Sequence, residues 1–192
     1  MTGDRLSRIV AFLELADELK SVDRRTTVGG RQENPAEHSW HMALYALLLG
    51  RELAEPVDVG RTIELCLVHD LVEIRAGDTY AFDEAGKEGQ HEREARAADE
   101  LFGLLPEDAG ARLRRLWDEF EAGETREARF AKAVDRMQAL AQNLAAEGRI
   151  WREHGIRYEQ VVERNEPGLA LDPALAGAIE ALLARVAPLL AE

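Results

Sequence analysis

The stretch "LCLVHDLVEIRAGD", residues 65–78, carries three ionisable side chains inside an apolar run. Wound as an α-helix at about 100° per residue, it places His69, Asp70 and Glu73 within an arc of about 100°. Most of the remaining circumference is Ile, Leu and Val, so other elements must cover it. The pattern therefore predicts a buried helix, with a polar stripe that needs an explanation.

Two interpretations of this stripe stay open at this point. It is either the solvent face of an amphipathic helix or a buried site. Burying two carboxylates costs several kcal/mol each unless cations or hydrogen bonds compensate, and a divalent metal ion would do so. The stripe contains no Lys or Arg, and its neighbours Thr62 and Cys66 are small, which favours a site. We interpret Cys66 as buried filler rather than as a nucleophile.

Length and composition predict an all-α protein, a single-domain helical bundle over residues 1–192. Hydrophobic residues make up 46% and aromatic residues 6% of the chain, while Ala, Leu, Glu and Arg are abundant, which favours helix over strand. The motif-bearing core is expected at about residues 20–143, with a C-terminal helical extension at 150–192. Periodicity and end signals predict helices near residues 6–20, 35–49, 61–76, 91–102, 107–124, 125–148, 158–164 and 173–190.

Charge and cysteine usage exclude several classes of partner. The net charge is −13, whereas binding to a nucleic acid polymer depends on clustered Lys and Arg. No apolar segment reaches the roughly 20 residues that span a bilayer, so no membrane partner is expected. The lone Cys66 and the absence of a secretion signal in the acidic, amphipathic N-terminus predict a cytoplasmic protein.

The second helix begins with a clear start signal and carries two histidines. Asn34 suits the N-cap and Pro35 the first helical position, and the helix continues as an apolar run from Trp40 to Leu49, which predicts that it lies inside the protein. His38 then falls on the first turn, with His41 on the same face. Either histidine is a candidate ligand or a core residue that hydrogen-bonds a carbonyl group. We also expect Trp40, Tyr45 and Trp117 in the core.

Asp135 interrupts a later helix in "AKAVDRMQAL". On an ideal helix it lies about 140° from Phe130, so periodicity does not decide between a solvent-facing residue and a ligand. From the residues alone, Asp135 remains only a candidate.

Four motifs taken in order are more specific than any one alone. "AEHSWH", "HDLVE" followed by "GD", and "AKAVDRM" resemble the HD-domain metal-dependent phosphohydrolases, over about residues 20–143. Within that superfamily they most resemble the 5'-deoxynucleotidase branch. The resemblance implies hydrolysis of nucleoside 5'-monophosphates to nucleoside and phosphate, with deoxynucleotides as the expected substrates.

The resemblance also implies a role for individual residues. One divalent ion is expected, and the candidates are Mn²⁺, Co²⁺, Mg²⁺, Fe²⁺ and Zn²⁺. Glu73 corresponds to the family's acid–base residue, and Asp78 to the residue that holds or orients the substrate. The implied metal ligands are His38, His69, Asp70 and Asp135.

The chain departs from the branch ahead of "AEHSWH". Well-studied members carry an Arg-Trp pair there, whereas this sequence has Arg24 and Arg25 and no Trp. A guanidinium suits a phosphate, so either arginine is a candidate for the substrate grip. An exposed basic loop is the alternative, and base and sugar preference stay open.

Two other functions are alternatives to this one. A dinuclear HD-type oxygenase or phosphodiesterase would need further histidines between the His-Asp pair and Asp135, where only His91 occurs. A non-catalytic dimerisation or regulatory protein with a vestigial metal site is the second alternative. His91 and His154 are expected at the surface. The family resemblance and the apolar tail at residues 182–190 favour a homodimer.

Overall fold

A computed structural model describes residues 2–190, apart from the side chain of Thr2, and these residues form one helical domain. The all-α prediction is therefore confirmed, with one small exception. A two-stranded antiparallel hairpin, β1 (Thr27–Val28) and β2 (Arg31–Gln32), pairs Thr27 with Gln32 ahead of the second helix. The helices are α1 (Thr2–Ala16), α2 (Pro35–Leu49), α3 (Val59–Val68), α4 (Glu73–Ala76), α5 (Glu84–Lys87), α6 (Gln90–Phe102), α7 (Glu107–Ala122), α8 (Arg126–Ala145), α9 (Arg149–Glu153), α10 (Tyr158–Leu169) and α11 (Pro173–Val186), with 3₁₀ turns at Asp17–Ser21, His69–Val72 and Ala187–Leu189.

The start of α2 follows from its local sequence. The Asn34 side chain accepts a hydrogen bond from the backbone N–H of Glu37 at 3.0 Å, and the Glu37 carboxylate accepts from the Asn34 N–H at 3.4 Å. Pro35 occupies the first turn, where its missing N–H costs nothing. This reciprocal cap sets the first residue of the helix and therefore the position of His38.

The prediction of one continuous helix over residues 61–76 is wrong. α3 begins two residues earlier, at Val59, and ends at Val68. The next four residues form a 3₁₀ turn, α4 follows, and Gly77 with φ 75° ends it. The ring of His69 hydrogen-bonds the Cys66 carbonyl at 2.9 Å, a group that a continuous α-helix would pair with the Asp70 amide. The site residues thus lie on a tightened turn.

The core is built around α8, which packs against α2, α3, α7, α10 and α11. Its buried residues are mostly apolar, including Phe130 and Val134, and Trp117 of α7 is also buried, as predicted. Leu183 and Val186 of α11 belong to the same core. The apolar tail therefore serves internal packing, and the part of it that the structure describes is not a free surface. No helix among residues 2–190 is long and apolar enough to cross a bilayer.

The prediction that α2 lies wholly inside the protein is wrong. Its inner face is buried against α3 and α8, but Trp40 is 61% exposed and Leu48 67% exposed. Tyr45, expected in the core, is half-buried. Because α2 lies at the surface of the bundle and is apolar on all sides, one of its apolar faces is exposed. Leu44 and Leu47 complete that face.

Candidate active site

Three predicted ligands from different elements come together beside the middle of α8. One side-chain atom from each of His38, His69 and Asp135 lies within 4.8 Å of the other two. His38 Nε2 is 3.0 Å from Asp135 Oδ1, and the two imidazole rings are 5.6 Å apart. His38 and His69 are buried and Asp135 is partly exposed, so the cluster lies just below the surface.

Asp70 lies between the two histidines. Its Oδ1 is 2.9 Å from His69 Nε2 and its Oδ2 is 3.9 Å from His38 Nε2. Oδ2 also accepts a hydrogen bond from Arg24 at 3.1 Å. The 3₁₀ turn therefore presents His69 and Asp70 to the same point in space. The polar stripe is buried, and the interpretation as a solvent face is wrong.

The hydrogen bonds of the two imidazoles leave the same nitrogen pointing into the cluster. His69 Nδ1 faces a backbone carbonyl, which only accepts, so Nδ1 carries the proton. In His38, Nδ1 lies 2.6 Å from Gln138 Oε1. With the proton on Nδ1, Nε2 of each ring faces carboxylate oxygens and is the nitrogen that can bind a metal ion. Two imidazole nitrogens and two carboxylates that converge in this way are a donor set that fits a divalent metal ion.

Electrostatic interactions keep two of the carboxylates ionised. Burial would raise the pKa of Asp135, but hydrogen bonding to His38 and the nearby charges of His38 and Arg164 hold it well below its usual range. The pKa of Asp70 is also lowered, because the effect of His69 and Arg24 is larger than the opposing effect of burial. Burial alone would lower the pKa of His69, yet Asp70 raises it.

Glu73 has a different environment from these carboxylates. It is buried at the first position of α4, and its Oε2 has no hydrogen-bond partner among the described residues. Burial raises the pKa of Glu73 well above its ordinary value, and the charges of Asp70 and Asp78 raise it further. A carboxyl group with a raised pKa holds its proton more readily than an exposed glutamate does, which suits a general acid.

The structure separates the two candidate arginines. The Arg24 side chain is 12% exposed and lies 3.1 Å from Asp70, 3.4 Å from Glu33 and 3.8 Å from Asp78. The charges of Asp70 and Asp78 raise the pKa of Arg24 despite its burial, so Arg24 is already occupied as a counter-ion. Arg25 is exposed at the edge of the cleft. Asp78 lies in the cleft too, and burial raises its pKa.

The cluster opens into a cleft of about 250 Å³. Several residues that line this cleft were not predicted from the sequence. Trp151 of α9 and Arg164 and Asn165 of α10 form part of it, together with Tyr80 and Phe82 from the loop after α4. The C-terminal helices carry no motif, so nothing in their local sequence indicated this role. Burial raises the pKa of the Tyr80 hydroxyl to about 12, although Arg164 and Arg25 lie near enough to oppose the shift.

The remaining singled-out residues lie outside the cluster. His41 is half-buried, and its Nδ1 lies 3.3 Å from Gln138 Nε2. Cys66 is buried, and burial raises its pKa to about 12, which agrees with a filler. His154 is exposed, and the His91 side chain is 67% exposed and stacks on Trp117.

A family model described as "HD domain" matches residues 16–172, well over half of the chain. The chain belongs to the HD-domain family. Among curated proteins, this HD domain is 34% identical over 142 residues to "5'-deoxynucleotidase HDDC2" of Bos taurus, covering 74% of this chain and 69% of the relative. The Homo sapiens protein of the same name is 33% identical over 144 residues, with 73% and 69% covered.

A solved structure extends the similarity to almost the whole HD domain. It is described as a predicted metal-dependent phosphohydrolase from Magnetospirillum magnetotacticum MS-1. Its identity to this chain is 42% and its TM-score 0.85, with 98% of this chain and 96% of that one covered. The similarity therefore includes the C-terminal helices that complete the cleft.

Proposed function

We propose that this HD domain is a metal-dependent phosphomonoester hydrolase that converts nucleoside 5'-monophosphates, with deoxynucleotides preferred, to nucleoside and phosphate. The observation that carries the proposal is the convergence of His38, His69, Asp70 and Asp135 at the floor of a cleft, with a buried Glu73 beside them. Relatives named 5'-deoxynucleotidase and a neighbour described as a metal-dependent phosphohydrolase support the same chemistry.

Each residue has a distinct task in this proposal. The four convergent side chains hold one divalent ion, which when bound polarises the phosphoryl group and lowers the pKa of water. Glu73, with its raised pKa, moves a proton between water and the leaving 5'-oxygen. Asp78, which lines the cleft beside Arg24, orients the substrate.

The charge of the cleft suits a phosphate once a metal ion is bound. Six Lys and Arg side chains line it together with six Asp and Glu side chains, in a chain whose net charge is −13. Arg136 has no carboxylate partner within 4.0 Å among residues 2–190, and Arg164 lies 4.0 Å from Asp135 Oδ2. With Arg24 occupied, we assign the phosphate grip to Arg25, Arg136 and Arg164.

The direct test is phosphate release from a panel of ribo- and deoxyribonucleoside 5'-monophosphates. Metal-stripped protein is assayed alone and with Mn²⁺, Co²⁺, Mg²⁺, Fe²⁺ or Zn²⁺ restored. We expect release only with a divalent ion and faster release from deoxynucleotides. The Asp70→Ala variant, purified in the same way, controls for contaminating phosphatase and is expected to be inactive and without metal.

Two outcomes contradict the proposal. The first is no phosphate release from any nucleotide with any of the five ions. The second is full metal content and full activity in Asp70→Ala, which would remove the central ligand from the site. A preference for ribonucleotides would leave the phosphomonoesterase in place and overturn only the sugar assignment.

We also propose a homodimer that buries the exposed face of α2. The face consists of Trp40, Leu44, Leu47 and Leu48, which recur along one side of the helix. Light scattering coupled to size-exclusion chromatography tests this. Leu48→Glu is expected to yield monomers, whereas Leu6→Glu, at a leucine of α1 that is also exposed, is expected to leave the dimer intact. A monomeric wild-type protein contradicts the proposal. The cytoplasmic location and the absence of a nucleic acid partner remain predictions from the sequence.

A further inference from the structure

A buried glutamine contacts the proposed ligand His38. Gln138 lies one helical turn beyond Asp135 on α8 and is 0% exposed. Its Oε1 is 2.6 Å from His38 Nδ1, while its Nε2 is 2.8 Å from Glu33 Oε1 and 3.3 Å from His41 Nδ1. One acceptor and two N–H groups are thus all engaged, so the amide has no unused polar group.

The carboxylate of Glu33 decides which way this amide points. Glu33 is 2% exposed, and its other oxygen accepts a hydrogen bond from the Thr26 hydroxyl at 2.7 Å and lies 3.4 Å from Arg24 Nε. A flipped amide would set Gln138 Oε1 against a carboxylate oxygen. Since the NH₂ group must face Glu33, Oε1 must face His38 and accept the proton of Nδ1.

Glu33 is also linked to the second half of the cluster. Arg24, which pairs with Glu33, donates to Asp70 Oδ2 at 3.1 Å. A chain of contacts therefore runs from His38 through Gln138, Glu33 and Arg24 to Asp70. It joins two proposed ligands that belong to different elements of the fold.

We propose that Glu33 and Gln138 are positioning residues that hold His38 with its proton on Nδ1 and so present Nε2 to the metal ion. The inference rests on the metal centre of the proposed function. Groups that hydrogen-bond a ligating imidazole fix its tautomer and its orientation, and their loss typically lowers metal affinity by about 10- to 100-fold. Neither residue is among those that line the cleft.

The test measures the affinity of the metal-stripped protein for Co²⁺ by calorimetry, together with the visible absorption of the bound ion. Gln138→Met removes the acceptor at nearly constant size, and Glu33→Gln removes the charge that orients the amide. Both are expected to bind Co²⁺ about 10- to 100-fold more weakly, with an altered spectrum. Thermal unfolding of the metal-free variants reports whether they fold.

Gln142→Met is the matched control. Gln142 lies one turn further along α8 and donates to the backbone carbonyl of Thr27 at 2.6 Å, without contact to the cluster. The Gln142→Met variant also loses one side-chain hydrogen bond, which is partly buried, and we expect its Co²⁺ affinity to stay within about threefold of wild type. An equal loss in Gln142→Met and Gln138→Met would overturn the inference, because it would assign the effect to the packing of α8.

The remaining outcomes separate this inference from the proposed function. Wild-type protein that binds no divalent ion would defeat the metal centre itself. Wild-type binding with unchanged affinity in a folded Gln138→Met would defeat only the positioning role. If Gln138→Met does not fold, Glu33→Gln decides alone, and unchanged Co²⁺ affinity and spectrum in that variant overturn the inference.

Discussion

A substitution at Glu73 can distinguish a role in proton transfer from a role as a metal ligand. Glu73→Gln keeps the size of the side chain but removes the exchangeable proton. We expect the variant to retain its bound metal and its fold, while kcat falls by roughly 10²–10⁴-fold, the usual contribution of general acid–base catalysis. Metal content and turnover are measured on one preparation. Loss of the metal would make Glu73 a ligand, and wild-type turnover would remove it from the mechanism.

Arg24 is predicted to stabilise the fold rather than to grip the substrate. Arg24→Met keeps the aliphatic stem but leaves Glu33, Asp70 and Asp78 without their shared cation. Removing one partner from a buried ion pair costs about 3–5 kcal/mol, so the free energy of unfolding of the metal-free protein should fall by that amount in urea titrations.

Arg25→Met is the control for this prediction, because Arg25 neighbours Arg24 but is exposed. Its free energy of unfolding should stay within about 0.5 kcal/mol of wild type. Its KM for a nucleotide should rise, since a charged hydrogen bond to phosphate contributes about 1.5–3 kcal/mol. Equal stability of wild type and Arg24→Met would contradict the counter-ion role.

The cap of α2 links helix stability to the metal site. Asn34→Ala removes the side-chain acceptor for the Glu37 N–H and should cost about 0.5–2 kcal/mol of unfolding free energy. Because His38 lies on the first turn, fraying there should also weaken metal binding. Both quantities are measured, by urea titration and by Co²⁺ calorimetry.

Thr125→Ala offers a comparison at the cap of α8. The Thr125 side chain also caps its helix, by accepting from the Ala128 N–H, but Asp135 lies more than two turns further on. A similar loss of stability with unchanged Co²⁺ affinity is expected there. Equal losses of affinity in both variants would mean that capping acts on global stability alone.

The turn between α3 and α4 carries two of the proposed metal ligands, His69 and Asp70. A continuous α-helix would place His69, Asp70 and Glu73 on one stripe but direct the adjacent His69 and Asp70 side chains about 100° apart. The 3₁₀ segment tightens the backbone just where His69 occupies the Cys66 carbonyl. The segment predicted as one helix therefore consists of α3 and α4, joined by the 3₁₀ turn that carries His69 and Asp70.

Asp172 connects the C-terminal helices to the rest of the molecule. It caps α11 through the Ala174 N–H at 3.0 Å and accepts from the Ala54 N–H at 3.0 Å, with Arg126 at 3.2 Å. The Asp172 side chain is 1% exposed. Burial acts to raise its pKa, but these N–H donors outweigh burial and hold the pKa below its usual value.

This lowered pKa predicts a pH dependence of stability. A carboxylate whose pKa falls on folding stabilises the protein above its unfolded pKa of about 3.9, and that contribution is lost as the pH falls through the folded pKa. Asp172→Asn should therefore unfold more easily than wild type at pH 5–7, and the difference should shrink below about pH 4. Urea titrations across this range test it. A difference that does not change with pH would exclude the carboxylate charge as its cause.

Features that depend on neighbouring residues were predictable from the sequence. The capping box of α2, the glycine that ends α4 and the helical periodicity all arise from contacts within a few positions of one another. The resemblance also named His38, His69 and Asp135, which the fold brings within 4.8 Å, although their role as ligands stays a prediction. Their residue types and order along the chain carried that signal.

Features that depend on distant residues came only from the tertiary structure. Gln138 contacts His38 and Glu33 across 100 and 105 positions of the chain, and Arg24 meets Asp70 across 46. Nothing local to Arg24 or Arg25 indicates which one turns inward, and nothing in α10 indicates that Arg164 walls the cleft. Hydrogen bonds and ion pairs of this kind form only when the packed helices bring their partners together, whereas caps and periodicity are decided within a single turn.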